Sequence, residues 1–298
     1  MRAGDAVRVR AGVAAEPTSW ATTSAQRHRA RILAAVRTRR REEVVLGYES
    51  AALLHGLPRL GPWPDEVSLI DDRGTRPASR RNGIRWHRES LDAGDIARIE
   101  GLLVTSLERT LVDVARSRGF AGATLALDHA LHDAAAPAVL HDGLRTRIAS
   151  LPGARGVRSA RLAVAFADGR AQSPGESLSR ARMHELGFLA PDLQVRMPRP
   201  DGPDDVVDFD WPEQGTFGEM DGVGKYVRTE YARGRAAAEV VIEEKIREDR
   251  IRRRHRPFCL RWGWAEALRP DLLARILAEG GIPRIHPPAP RRNGRFPT

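Results

Sequence analysis

The 298-residue chain reads as an α/β (α+β) protein of two domains, a mixed N-terminal and middle region followed by a smaller C-terminal unit. Three observations predict this. The length exceeds the ~100–200 residues of one ordinary domain. Short apolar runs alternate with amphipathic helical stretches, which suits neither an all-helical bundle nor a sandwich. The last third orders its elements α-β-β-β-α-β-α, with turn residues between the strands. The expected divisions are a basic segment at 1–45, an α/β middle domain at 46–168, a C-terminal domain at 169–285 and a disordered tail rich in Pro and Arg at 286–298.

Each element has a local reason. A strand is expected over 6–10 and a helix over 24–41, whose thin apolar stripe is Ile32, Leu33 and Val36. Residues 48–55 form a short helix stopped by Gly56 and Pro58. Strands at 67–70 and 84–87 flank a turn-rich stretch, and a helix over 105–117 starts with Thr105 as cap and Glu108 completing a capping box. Residues 120–132 and 156–166 continue the helical middle. In the last third, Ser173-Pro174-Gly175-Glu176 supplies a cap, a first-turn proline and a capping-box glutamate for a helix to about Leu186. Strands follow at 193–197, 206–211 and 216–220, then a charged helix over 230–255, a strand at 258–262 and a closing helix at 271–278.

Composition removes several classes. No apolar run approaches the ~20 residues of a membrane helix, and no secretory signal follows the N-terminal charges. One cysteine, Cys259, excludes a disulfide scaffold and multi-cysteine metal sites. A cytoplasmic protein is expected. The net charge of +10 favours an anionic partner, DNA in the first instance, although arginine-rich composition inflates that signal. The charge is unevenly placed: +8 over residues 1–41, −7 over 200–225 and +4 over 242–261.

An acidic island between basic segments is what a metal-dependent enzyme acting on a polyanion requires. Asp208 ends one strand and Glu219 the next, so their carboxylates can aim at one point. Alternation puts Asp210 beside Asp208 and Asp221 beside Glu219. Such oxygen-only ligands suit Mg²⁺ or Mn²⁺. Lys225 and Lys245 are the two lysines among 49 basic residues, which marks them as candidates to hold a hydroxide or phosphate oxygen. Arg252, Arg253 and Arg254 are candidate nucleic-acid contacts that would add salt dependence more than specificity. His129, His132, His184 and Cys259 read as packing or surface residues.

Asp208, then Glu219-Met220-Asp221-Gly222, then Lys225-Tyr226, within the α-β-β-β-α-β order, resembles the PD-(D/E)XK (restriction-endonuclease-like) superfamily. Its nearest branch is the domain of unknown function related to very-short-patch-repair endonucleases; the run from Glu244 to Arg250 and Leu260-Arg261-Trp262 resemble that branch too. The resemblance covers about residues 170–280 and implies metal ligation by Asp208 and Glu219, with Glu176 as an accessory acid. Asp221 stands where the superfamily has lysine, so Lys225 or Lys245 would have to serve. Upstream, Gly47-Tyr48-Glu49-Ser50 through Leu57-Pro58, with Val104-Thr105-Ser106-Leu107-Glu108-Arg109-Thr110-Leu111-Val112-Asp113, resembles the AbiEi-type antitoxins, transcriptional regulators of type IV toxin–antitoxin systems. Against that family's winged helix-turn-helix, residues 6–13 resemble only the last wing strand, so either the domain is lost and the 1–45 segment is its remnant, or the true start lies upstream. The leading expectation is a Mg²⁺-dependent deoxyribonuclease. The alternative is a non-catalytic DNA-binding regulator or antitoxin with a cognate toxin, and a third, weaker one is a protein-interaction module.

Overall fold

A computed structural model describes residues 7–10, 13–15, 22–39, 43–72, 79–221 and 237–287, and it is mixed α and β as the sequence predicts. The chain divides into two units, Met1–Ala167 and Asp168–Phe296. No helix among the described residues is long and apolar enough to cross a membrane.

In the first unit β1 (Val7–Arg10) and β2 (Val13–Ala15) pair antiparallel. Helix α1 (Ser24–Arg37) starts at a full capping box: the Thr23 hydroxyl accepts from the Gln26 N–H, and Gln26 reaches back to the Thr23 N–H. It stops short of the expected 41 because the Thr38 hydroxyl donates to the Ala34 and Ala35 carbonyls, closing the last turn. There follow β3 (Val45–Leu46), α2 (Tyr48–Leu54), β4 (Val67–Asp71), β5 (Ser79–Arg81), β6 (Ile84–Arg88), β7 (Ile96–Ile99) and β8 (Leu102–Thr105). Then come α3 (Leu107–Ser117), α4 (Phe120–Asp133), α5 (Pro137–Ala149) and α6 (Val157–Phe166). The sheet order is β5-β6-β4-β3-β8-β7. Ile32 and Ala35 of α1 pack on Leu46, Val67, Leu69, Ile84 and Val104, while α3 to α6 bury Leu111, Leu127, Leu144, Ile148 and Val164 against one another.

Strands β3, β5, β7 and β8 and helix α5 go beyond what patterning predicts; runs of two to four residues carry too little periodicity to be seen. The cap of α3 is Ser106, which accepts from the Arg109 N–H at 3.4 Å, not Thr105. Thr105 ends β8 and spends its hydroxyl on Thr110, 2.7 Å away. Gly156 opens α6 at φ +80°, and a Cβ there would lie 2.1 Å from the Arg116 carbonyl oxygen. Gly156→Ala should therefore lower stability by about 1–3 kcal/mol, read as a lower urea midpoint at unchanged slope.

The second unit contains α7 (Pro174–Glu185), β9 (Asp192–Met197), β10 (Asp205–Trp211), β11 (Thr216–Asp221), α8 (Ala237–Arg254), β12 (Phe258–Gly263), α9 (Trp264–Leu268) and α10 (Pro270–Glu279). Its sheet runs β12-β11-β10-β9, parallel between β11 and β12 and antiparallel elsewhere. Helix α7 lies close on one face: a Cβ at Gly175 would meet the Met220 methyl at 2.4 Å, and the Trp262 indole N–H donates to Ser179 Oγ at 2.8 Å. Phe217 and Met220 are three apart in β11 and so face opposite ways. On the Phe217 side, Ile251 of α8 packs with Met197, Val207 and Phe217.

Candidate functional site: an arginine-capped acid cluster

Asp208 and Glu219 lie on β10 and β11 near the point where the two strands part. The β10–β11 ladder runs from Trp211 opposite Thr216 to Phe209 opposite Gly218 and stops there. In place of a further rung, the Met220 N–H donates to Asp208 Oδ2 at 2.9 Å. On the other side, Gln194 of β9 adopts φ +52°, a conformation side chains rarely hold without a compensating contact. Its amide donates to Asp208 Oδ1 at 3.3 Å and to Glu176 Oε2 at 3.0 Å. Glu176 also accepts from the Ser173 hydroxyl at 2.7 Å and from the Gln172 N–H at 2.9 Å, so it caps α7 and is joined to Asp208 through the Gln194 amide. Three carboxyls from three elements are thus buried, at 3%, 8% and 6% exposure for Glu176, Asp208 and Glu219.

Burial sets their protonation. It pushes Glu219 up to about 8 against the pull of Arg247, with Asp208 and Glu244 adding to the rise. Glu176 is raised by burial and then by Asp208, while its hydrogen bonds to Gln172, Ser173 and Gln194 pull it back. The guanidinium on Glu219 belongs to Arg247 of α8, with Nη2 2.7 Å from Oε1. Arg247 also donates to Glu244 and, through Nη1, to the Val206 carbonyl at 3.0 Å. Arg261 of β12 extends the network to Asp221 at 3.1 Å, Glu244 at 2.9 Å and Glu248 at 3.0 Å.

The remaining predicted residues fall as follows. Asp210 does not join Asp208: it takes both arms of Arg256, at 2.7 and 2.8 Å. Asp221 is held by Arg261. Lys245 is exposed; Arg247, Glu248 and Ile251 define the inward face of α8, and at 100° per residue Lys245 points well off it. Lys225 lies outside the described residues. Arg252, Arg253 and Arg254 are exposed, with Arg252 3.5 Å from Glu248 and Arg254 3.9 Å from Asp201. Gln194, Arg247 and Arg261 are the site residues that patterning does not single out. The i,i+3 spacing of Glu244 and Arg247 was the available signal.

A divalent cation fits this arrangement poorly. Both oxygens of Asp208 already accept hydrogen bonds, and Glu219 carries a guanidinium. Among the described residues no group of three His, Cys, Asp or Glu is placed to hold a metal ion.

In the first unit the motif residues serve a different purpose. Arg109 donates to Asp113 at 3.0 Å, Asp95 at 3.2 Å, Glu89 at 3.3 Å and the Ser90 carbonyl at 2.8 Å. Glu89 also accepts from the Tyr48 hydroxyl at 2.7 Å and from Arg116, and Arg147 pairs with Asp95. Glu49 binds Arg59 and both arms of Arg118, while His55 Nε2 lies 2.8 Å from the Thr105 carbonyl oxygen. The two segments that resemble the antitoxins are therefore stitched to each other by buried polar contacts.

The first half of the chain is thus an α/β unit closed by one polar network. Residues 12–164 match the family described as the AbiEi antitoxin C-terminal domain, and the chain belongs to that family. It is also similar to two uncharacterized proteins from two strains of Mycobacterium tuberculosis, each 33% identical over 128 residues, which is 43% of this chain and 46% of the relative. The chain thus spans about half the length of the curated relatives it matches. No solved structure matches it.

Proposed function

We propose that the protein is a DNA-binding regulator and antitoxin of a type IV toxin–antitoxin system, acting in the bacterial cytoplasm with a cognate toxin, and that its second unit is a binding platform that does not cut DNA. The observation that carries this reading is Arg247 seated on Glu219, together with family membership of the first half. The exposed Arg252, Arg253 and Arg254 are the phosphate contacts in this proposal. The reading predicts salt-sensitive binding to a duplex taken from upstream of its own gene, unchanged by EDTA. Changing the three arginines together to alanine should weaken binding to all sequences alike and flatten the log-affinity against log-salt slope by about 2–3. Binding that vanishes with EDTA, or a slope that the triple change leaves intact, counts against it.

A second reading, Mg²⁺- or Mn²⁺-dependent hydrolysis of DNA phosphodiesters, draws on the burial of Glu176, Asp208 and Glu219 in the second unit. It would use Asp208 and Glu219 as ligands, with Asp221, Lys225 or Lys245 completing the site, and it requires Arg247 to leave Glu219. It predicts cleavage that Asp208→Ala abolishes. The regulator reading predicts intact DNA under the same conditions.

A further inference from the structure

We propose that the β5–β6 hairpin of the first unit is a further contact for the phosphate backbone of duplex DNA, separate from the Arg252–Arg254 run. This rests on the DNA-binding reading and extends it to the half of the chain that carries the antitoxin family. Residues 79–88 hold four arginines, Arg80, Arg81, Arg85 and Arg88, and no acid. Asn82 and Gly83 take φ +52° and +70°, the two-residue turn whose twist matches its strands, and the register is thereby fixed. That register sets Arg80 directly opposite Arg85. Residues so opposed have Cβ atoms about 4.5–5.5 Å apart, and like charges there are destabilising. Both guanidinium groups act on the face of His87, which burial holds down to about 4, with Arg85 and Arg80 pushing the same way against Glu89. The repulsion finds little relief within the chain. Glu66 lies 3.5 Å from Arg80 with both side chains exposed, and among the described residues no carboxylate pairs with Arg81, Arg85 or Arg88. Elsewhere arginines sit on acids, as Arg109, Arg118, Arg247 and Arg256 do; here four are exposed on the outermost strand pair of the sheet.

The exposed groups select the anion. Ile84 is buried, and Trp86 is half-buried with the Arg39 guanidinium 5.8 Å over its ring. Outward, the hairpin therefore shows hydrogen-bond donors and no apolar anchor. A protein partner would need buried aromatic or aliphatic anchors, and a single strand would need open rings on which to stack its bases. A duplex backbone asks only for arginine and polar donors. Such a polyanion lying along β5 would turn an opposed, like-charged pair into a matched one.

The test uses the full chain, a duplex from upstream of its own gene and a scrambled duplex of equal length. It reads affinity against salt together with melting temperature. Changing Arg80, Arg81 and Arg85 together to glutamine should weaken binding to both duplexes alike, about tenfold or more at about 0.1 M salt, and flatten the log-affinity against log-salt slope by about 2–3. Arg85→Gln alone should flatten it by about 1, while Arg85→Lys keeps it. Because Arg85→Gln removes one of two opposed charges, it should melt no lower than wild type. A slope lost together with melting temperature would make Arg85 a structural residue and overturns the proposal. An unchanged slope in the triple change also overturns it, leaving the arginines as a guard against strand pairing or a seat for an acidic protein. The two failures look different. A wild type without salt-sensitive binding ends the regulator reading and this inference with it. A slope that falls on changing Arg252, Arg253 and Arg254 but not on changing the hairpin ends this inference alone.

Discussion

Replacing Arg109 with methionine is expected to unfold the first unit under conditions where the wild-type chain is stable, with a loss of about 3–5 kcal/mol. The size follows from what the guanidinium leaves behind. Asp113 is fully buried, Asp95 3% exposed, and Glu89 is bound through the same fork. Burial already pushes Asp113 up to about 6 with Arg109 and Arg116 opposing it. Without Arg109, Asp113 must either take up a proton or hold, in the middle of α3, a buried charge that Arg116 alone opposes. Arg109→Lys keeps the charge but not the fork, and one ammonium cannot reach Asp113, Asp95, Glu89 and the Ser90 carbonyl together, so only part of the stability should return. Urea denaturation followed by circular dichroism measures both, with exposed Arg161→Met as the control expected within about 0.5 kcal/mol. A midpoint for Arg109→Met no lower than the control's would refute the hub.

Arg109 also shows what a sequence reveals and what it hides. Its spacing from Asp113, four residues along a helix, is visible in the chain. That the pair is buried, and that it recruits Glu89 and Asp95 across a sheet, depends on β7 and β8, strands of four residues each that no periodicity announces. The second unit behaves alike. The Ser173–Glu176 box and the strands bearing Asp208 and Glu219 follow from capping and alternation. Arg247 was invisible for a compositional reason: in a chain with two lysines among 49 basic residues, one more arginine draws no notice, and attention falls on the lysines instead. Lys245 points off the inward face of α8 while Arg247, two residues on, reaches Glu219. Helical phase decided which base meets the acids, and phase matters only once Ile251 is known to be the buried position. Asp210 is the other such case: alternation gives it Asp208's side, but Arg256, 46 residues on, holds both of its oxygens.

Glu219 makes the stability of the second unit depend on pH in an unusual direction. Its carboxyl is raised from an ordinary 4.5 to about 8, by burial first and by Asp208 in addition, with Arg247 only partly offsetting. A group whose pKa is higher in the folded state binds its proton more tightly there than in the unfolded chain. The stabilisation is therefore complete below pH 4.5, declines as pH rises and is gone above about 8, the reverse of a carboxylate held down by an exposed ion pair. The span is worth about 2–5 kcal/mol, discounted from the full shift because the cluster relaxes as it ionises. Other acids titrate in the same range, so the measurement is a difference: unfolding free energy against pH for wild type minus that for Glu219→Gln. Glutamine keeps the shape and an oxygen for the Arg247 Nη2–H but has no proton to lose. The difference should fall steadily between pH 5 and 8 and then flatten. A flat difference would mean that the 2.7 Å contact with Arg247 outweighs burial and keeps Glu219 ionised, and a rising one would mean that the ion pair dominates outright.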